Sequence, residues 1–322
     1  MFFILQICFA QSSFQNLELG KNSLNYKGNP LKATDRKSLA FSDKGAWFGF
    51  GFLEQSEMQG GFSGPFLMTE QNGVWLSSSF ISLHLTDKNE QELIDWKTAL
   101  VNQNSYNSHL EQEFQNEKLE VKQQLVFSSG HSAIQKTSIT NRSSKTITLY
   151  PIYNSKTYLD NMQLSTEGQF LKLVSSKSNA VGYIQFFNEG IDIVITKDSF
   201  TAKANKLTLK PNETKEIVVS QTYIFPQYDW KKENENLAKI QFNTVLKDTK
   251  KEKENQLAQL IAKKKSIYKG AEYSIFIAKL LLTLQNNTRI PAEGLKHEGL
   301  FPSYHYEWFH GFWAWDSWKH AA

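Results

Sequence analysis

The sequence is nearly without cysteine. Its one cysteine, Cys8, falls inside an apolar run at the amino terminus. If that run is removed as a leader, the chain has no thiol. Disulfides, thiolate zinc sites and cysteine nucleophiles are then excluded.

Arginine is also scarce, and the positive charge is confined to one stretch. The net charge is +4, and residues 229–269 hold eleven lysines against six acidic residues, so the rest of the chain carries −1. A nucleic-acid-binding face needs basic residues gathered on a folded surface, with arginine prominent. We therefore expect no nucleic-acid partner.

Long apolar runs are absent after the first residues. Residues 2–10 are apolar except for Gln6 and are followed by polar residues, which is typical of a secretory signal, although the positively charged start is missing. We predict a signal peptide over residues 1–11 and a periplasmic or secreted protein; a buried first strand is the alternative. No later run approaches the roughly 18 residues of a membrane span, so none is expected.

Residues 12–226 have the pattern of short strands separated by turns. Apolar residues alternate with polar ones at Leu119, Val121, Leu125 and Phe127, and again at Ile191, Ile193 and Ile195. A period of two places one face of a strand on a core. With no long helical run to compete, the pattern predicts antiparallel sheets stacked as one large β-sandwich domain.

Two glycine clusters lie in this domain, GAWFGFGF at residues 45–52 and GGFSGP at residues 60–65. Neither has the spacing of a dinucleotide or phosphate-binding loop, and neither leads into a helix. Sharp turns and close backbone approach between strands are predicted instead.

Residues 227–269 are rich in lysine, glutamate, asparagine and glutamine. Apolar residues recur at helical spacing at Leu237, Ile240, Leu257, Leu260 and Ile261. We predict two amphipathic helices, interrupted around the wholly polar run of residues 247–255, which form a linker between domains. A partner-binding or membrane-surface helix is the alternative.

A more apolar helix is predicted from Glu272 onward. A wide stripe is formed by Tyr273, Phe276, Ile277, Leu280, Leu281 and Leu284. Such a stripe predicts burial on most sides of the helix. Asn286, Asn287 and then Pro291 mark its end.

Residues 301–318 hold nine aromatic residues in eighteen positions, and Asp316 lies among four tryptophans. Aromatic faces suit the C–H face of a sugar ring, and a carboxyl group among indoles loses hydration, which raises its pKa. Such a group can donate a proton to a leaving oxygen. Trp315 and Trp318 are the first candidates for sugar stacking, and Trp313 and Phe309 follow.

A packed helix start is the alternative for the same stretch. Trp315 and Trp318 are three residues apart and share a helical face, while Asp316 can pair with Lys319 or His320 in the first turn. The other histidines nearby have no common metal-ligand spacing. No metal site and no cofactor are predicted.

Three motifs resemble one family of enzymes. FPSYHYEWFHGFWAWDSWKHA at residues 301–321 resembles the segment that carries the catalytic acid in glycoside hydrolase family 63, the inverting α-glucosidases, and in particular their bacterial YgjK-like branch. FSDKGAWFGF at residues 41–50 and GGFSGPFLM at residues 60–68 resemble the N-terminal domain of that branch, in the same order. The resemblance implies a super-sandwich over residues 12–226, a helical linker over residues 227–269 and the start of a catalytic (α/α)6 barrel over residues 270–322. Because that last part has room for about two of the dozen helices of such a barrel, we expect an amino-terminal fragment.

The resemblance also implies roles for residues. Asp316 stands where the family has its proton donor, and the surrounding aromatic residues stand where it holds the terminal glucose. The family's general base is a later glutamate that no segment here supplies; Glu307 is an alternative partner. We predict a monomeric, exo-acting, inverting α-glucosidase that acts on oligosaccharides and is inactive as this fragment. A non-catalytic carbohydrate-binding or architectural β-sandwich protein is the alternative hypothesis.

Overall fold

The computed structural model describes residues 14–187, 190–306, 309, 311–313 and 315. In this part of the chain the strands are β1 (Phe48–Gly51), β2 (Ser63–Leu67), β3 (Val74–Trp75), β4 (Ser82–Thr86), β5 (Leu100–Ser105), β6 (Leu110–Gln115), β7 (Leu119–Phe127), β8 (Ser132–Asn141), β9 (Ile147–Lys156), β10 (Met162–Glu167), β11 (Phe170–Ser175), β12 (Val181–Phe186), β13 (Asp192–Ile195), β14 (Ser199–Lys203), β15 (Leu207–Leu209), β16 (Thr214–Ile224), β17 (Thr288–Arg289) and β18 (Gly299–Leu300). The helices are α1 (Gln15–Gly20), α2 (Trp96–Ala99), α3 (Trp230–Lys239), α4 (Phe242–Ala262) and α5 (Ala271–Asn287). The predicted mainly β fold is confirmed, and the longer helices all follow the last long strand.

The strands form one large sheet and several smaller ones. The large sheet has eight strands in the order β10-β11-β12-β16-β8-β7-β6-β5. A five-stranded sheet has the order β13-β14-β9-β15, with β4 also paired to β9, and a third sheet has the order β1-β2-β3. All these pairings are antiparallel, as the sequence predicted.

One hydrophobic core joins the three sheets. Phe48 of β1 packs against Phe127 of β7 and Tyr223 of β16, with ring centroids 5.2 and 4.9 Å apart. Tyr153 of β9 contacts Phe186 of β12 at 4.9 Å. All five side chains are buried and belong to a single cluster. The eight-stranded and five-stranded sheets therefore face one another across shared aromatic packing.

The glycine clusters place backbones close together, as predicted. A Cβ atom on Gly61 would lie 2.3 Å from the carbonyl oxygen of Ile81. Gly64 has a φ of +101° and is followed by a cis peptide bond to Pro65. Side chains are excluded at both positions, so the clusters serve sheet packing in this domain.

The predicted interruption of the linker helices at residues 247–255 is wrong. α4 runs without a break through this segment, and the chain instead bends at Ile240 and Gln241, between α3 and α4. Lysine and glutamate are good helix formers, so a polar run does not end a helix. Its members also bond to the β domain: Glu254 accepts hydrogen bonds from the backbone N–H groups of Asn16 and Leu17 at 3.1 and 3.0 Å.

The predicted helix from Glu272 is present as α5. The prediction that its apolar stripe is buried is wrong, because three of its six residues are exposed in the described part of the chain. Phe276 is 56% exposed, and Tyr273 and Leu280 are also exposed. The buried face carries Ser274, Ala278, Leu282, Gln285 and Asn286. Small and amide side chains allow close approach to the β domain and satisfy its polar backbone, which an apolar stripe does not.

Candidate functional site

A loop of the β domain, residues 40–47, holds the carboxyl end of α5; we call it the junction loop. The Asn286 side-chain oxygen accepts a hydrogen bond from the backbone N–H of Ser42 at 3.0 Å, and the Gln285 side-chain amide donates to the carbonyl oxygen of Ser42 at 3.3 Å. The backbone N–H of Ile290 donates to the carbonyl oxygen of Gly45 at 2.9 Å. The indole of Trp47 donates to the carbonyl oxygen of Ile290, also at 2.9 Å. The motif AFSDKGAW is therefore a connection between the β domain and the helices.

Gly45 is required for this approach. Its φ is +72°, and a Cβ atom there would lie 2.8 Å from the backbone nitrogen of Ile290. An L side chain is disfavoured by the backbone conformation and blocked by the neighbouring strand. The glycine thus fixes where the chain leaving α5 meets the junction loop.

A buried ion pair joins the same loop to α4. The Lys253 ammonium lies 2.7 Å from Oδ1 of Asp43, and the two side chains are 6% and 1% exposed. Burial raises the pKa of the Asp43 carboxyl, and the attraction of Lys253 partly offsets this rise. Oδ2 of Asp43 has no hydrogen-bond partner among the described residues. The pair links positions 210 residues apart.

The first half of the aromatic stretch is anchored to the β domain. The Tyr304 hydroxyl donates to the carbonyl oxygen of Ala40 at 2.7 Å and accepts from its N–H at 3.0 Å. Phe301 packs edge-on against Trp47, with centroids 5.4 Å apart. Both Phe301 and Tyr304 are buried. These rings therefore have a structural role.

Arg289 lies beneath this anchor and was missed at the sequence level. It is fully buried, and its guanidinium lies 5.7 Å from the centroid of the Tyr304 ring. One nitrogen donates to the carbonyl oxygen of Asn286 at 2.7 Å, and another donates to that of Thr288. Burial lowers the pKa of Arg289 to about 9, so the group stays charged at neutral pH. Its position two residues after Asn287, where the helix was predicted to end, is the only feature of the sequence that pointed to it.

The described residues of the second half are exposed. Trp315 is 67% exposed, and Phe309, Phe312 and Trp313 are about half exposed. Phe309 contacts Tyr306 at 6.0 Å in a stacked arrangement and Trp313 at 6.3 Å in a tilted one. We call Tyr306, Phe309 and Trp313 the exposed aromatic cluster. Two of its rings, Phe309 and Trp313, are predicted sugar-binding residues that the structure brings together.

The remaining predicted site residues lie outside the described part of the chain. These are Asp316 and Trp318, as well as Glu307, His310, Lys319 and His320. His305 is described and half-buried, with its ring 6.1 Å from that of Phe66. Burial and the nearby Arg36 lower the pKa of His305, which favours a neutral ring.

The described residues show neither a metal centre nor a membrane span. They contain no group of three or more histidine, cysteine, aspartate or glutamate side chains arranged to hold a metal ion. None of their helices combines the length and the apolar character that crossing a membrane requires.

Comparison of the structure with solved structures shows the fold. A protein described as a kojibiose phosphorylase from the human microbiome superimposes with a TM-score of 0.54 and 12% identity, over 77% of this chain and 39% of that protein. An inverting family GH92 mannosidase from Bacteroides thetaiotaomicron has a TM-score of 0.46 and 11% identity, over 88% of this chain and 42% of its own. The chain thus spans about two fifths of the length of the phosphorylase. At these identities the first likeness shows a shared fold, and the second score is too low to carry an argument.

Comparison of the sequence gives a more specific result. No curated protein matches the chain significantly. The model of one protein family does match, and it covers the junction loop and both glycine clusters. Residues 28–182 are therefore similar to the family described as glucosidase YgjK, N-terminal, which is a domain of a carbohydrate-active enzyme.

Proposed function

We propose that the chain is the amino-terminal part of an exo-acting, inverting α-glucosidase that releases glucose from oligosaccharides. The match of residues 28–182 to a glucosidase N-terminal domain carries this proposal. In it, the β domain is a super-sandwich over residues 12–226, residues 227–269 are the linker, and residues 270–322 begin an (α/α)6 catalytic barrel.

The division of the aromatic stretch supports the proposed substrate site. Phe301 and Tyr304 are buried anchors, whereas Phe309, Trp313 and Trp315 expose ring surface just before Asp316. Exposed aromatic faces next to a carboxyl group are the chemistry that a glucoside requires, because the rings contact the sugar and the acid protonates the glycosidic oxygen. We assign the proton donor to Asp316 and sugar contacts to Trp315, Trp318, Trp313 and Phe309.

The exposed face of α5 supports the proposed barrel. Together with the end of α4 it forms a mainly apolar groove of about 690 Å³, lined by Leu260, Tyr268, Tyr273, Phe276, Ile277 and Leu280, with Lys263, Lys264 and Glu272 also in the lining. An apolar patch of this kind on a protein surface marks a contact with further structure. We assign that contact to later barrel helices, which would also supply the general base at about 6.5–9.5 Å from the acid, the spacing of inverting glycosidases.

The test uses the protein expressed from the complete gene. It should release glucose from α-linked disaccharides first as the β-anomer, as followed by NMR. Asp316→Asn should lower kcat by about a hundredfold or more while KM changes little, because one general acid contributes about 10²–10⁴-fold. Asp192→Asn, on the exposed edge strand β13, is the matched control and should keep full activity.

Three results would contradict parts of the proposal. Release of the α-anomer would exclude inversion, and full activity of Asp316→Asn would exclude the proton-donor role. Absence of hydrolysis, with sugar binding retained, would favour a non-catalytic carbohydrate-binding protein. We also propose a periplasmic or secreted location, which amino-terminal sequencing of the mature protein tests by locating cleavage near residue 11.

A further inference from the structure

A cleft of about 520 Å³ opens at one end of the five-stranded sheet. It is formed by residues 77–79, which lie between β3 and β4, and by the facing ends of β9 and β14. Serine, threonine, asparagine and glutamine side chains make up most of its lining. Its volume lies within the roughly 300–1,000 Å³ of small-ligand pockets.

The strand register and the serine run build the walls of this cleft. Asn154 of β9 pairs with Thr201 of β14, one position from the core-facing pair Tyr153 and Ala202. Because successive side chains of a strand point to opposite faces, Asn154 and Thr201 share the face directed away from the core. The Ser155 hydroxyl donates to the carbonyl oxygen of Ser79 at 3.1 Å, which fixes the serine run against β9.

Three polar side chains in the lining have unused hydrogen-bonding capacity. Gln59, Ser78 and Thr201 are half-buried, and their side chains make no hydrogen bond to the residues that the structure describes. An amide and two hydroxyls offer donors as well as acceptors. Groups of this type, partly withdrawn from water at one concave surface, gain by bonding to a ligand rich in hydroxyls.

The charges of the cleft favour a neutral ligand over an anionic one. Lys156 is the only charged side chain among the described lining residues, and its ammonium is paired with Asp198 at 2.9 Å. Of the two aromatic rings in the lining, Phe200 is buried and Tyr158 offers a flat half-buried surface. The Tyr158 hydroxyl donates to the carbonyl oxygen of Pro30 at 2.9 Å. Neutral donors and acceptors around the partly exposed Tyr158 ring match the edges and the C–H face of a sugar.

We propose that this cleft binds a neutral di- or trisaccharide, as a second carbohydrate site on the β domain. It is built from residues other than Asp316 and the exposed aromatic cluster. The inference therefore holds or fails independently of the proposed glucosidase activity.

The test measures sugar binding by the folded chain. The probes are an array of neutral di- and trisaccharides of glucose, galactose, mannose and xylose, and the best of them is then titrated by calorimetry. Ser78→Phe, which fills the cleft, should weaken binding at least tenfold. Gln59→Ala and Thr201→Val should each weaken binding by about twofold to twelvefold, which corresponds to the roughly 0.5–1.5 kcal/mol of one hydrogen bond.

Two controls separate this cleft from the rest of the molecule. Ser176→Phe makes the same substitution at an exposed position in the loop after β11 and should leave affinity unchanged. Trp315→Ala reports on the other proposed site, so any affinity that this variant removes does not belong to the cleft. Thermal unfolding of each variant reports whether the fold is kept, and if Ser78→Phe fails to fold, Gln59→Ala and Thr201→Val decide.

Several outcomes would overturn the proposal. One is that no sugar of the array binds. Another is that the cleft variants bind the sugar as tightly as the unmodified protein, or that only Trp315→Ala loses binding. Tighter binding of a phosphorylated sugar than of its neutral parent would contradict the assigned ligand class.

Discussion

Lys253→Met tests whether the helices are held to the β domain by the buried pair with Asp43. Methionine keeps most of the length of the side chain and removes its charge. The two charged atoms are 2.7 Å apart, and neither side chain is more than 6% exposed. Removing the ammonium leaves a buried carboxylate without its cation.

The expected cost follows from this burial. Breaking a buried pair by removing one partner destabilises a protein by about 3–5 kcal/mol, whereas an exposed pair contributes about 0–1 kcal/mol. The control is Lys203→Met, which breaks the pair with Glu90, whose side chains are 56% and 73% exposed. Urea unfolding followed by tryptophan fluorescence should show the large loss for Lys253→Met and almost none for Lys203→Met.

The loss of stability in Lys253→Met should also depend on pH. Burial raises the pKa of Asp43 above its ordinary value and Lys253 opposes this rise, so the variant raises the pKa further. Between the pKa of Asp43 in the unfolded chain and its higher pKa in the folded variant, the folded variant binds more protons than the unfolded chain. The stability of the variant therefore falls as the pH rises through the folded-state pKa. The difference from the unmodified protein should therefore be smaller at pH 5 than at pH 8.

A double-mutant cycle isolates the pair. Asp43→Asn, Lys253→Met and the double variant should give a coupling energy of about 2–3 kcal/mol. A coupling below about 0.5 kcal/mol, or equal losses in Lys253→Met and Lys203→Met, would refute the reasoning that this contact secures the junction.

Two further predictions concern backbone conformation and a buried histidine. Gly45→Ala should destabilise the protein by more than Gly168→Ala in urea unfolding. Both glycines have positive φ, but only at Gly45 would the added Cβ meet a backbone atom, at 2.8 Å. The Gly168 change should cost only about 1–2 kcal/mol of left-handed strain, and equal losses would contradict the steric argument. Burial lowers the pKa of His109 to about 4, so the folded state resists a proton that the unfolded chain takes up near pH 6.5. Stability is then full at pH 7.5 and falls by about 3 kcal/mol as the pH drops toward 4, and His109→Gln should flatten this part of the curve.

The junction gives the β domain a definite relation to the proposed sugar site. Tyr304 is bonded to Ala40, and the exposed aromatic cluster begins at Tyr306, two residues later. The position of these rings therefore depends on bonds made by the junction loop and on the packing of Arg289 beneath Tyr304. Changes in the β domain at this loop should alter the site without touching a sugar-binding side chain.

The sequence by itself determined the local elements. Alternation from Leu119 to Phe127 predicted β7, and alternation at Ile191, Ile193 and Ile195 predicted β13. Glycine clusters predicted close backbone approach, because only a residue without a Cβ fits there. These features depend on neighbours within a few residues, which is the range that periodicity and turn chemistry report.

Only the tertiary structure decided which surfaces meet. The Asp43 and Lys253 pair joins residues 210 positions apart, and neither residue carries a local signal of its partner. The buried face of α5 is the one with Ser274, Ala278 and Gln285, not the apolar stripe. Helical periodicity shows that a helix has two faces, but the neighbouring surface decides which is buried, because polar backbone must be satisfied where the junction loop meets it. The same long-range contacts divide the aromatic stretch into an anchored half and an exposed half, a distinction that its composition does not contain.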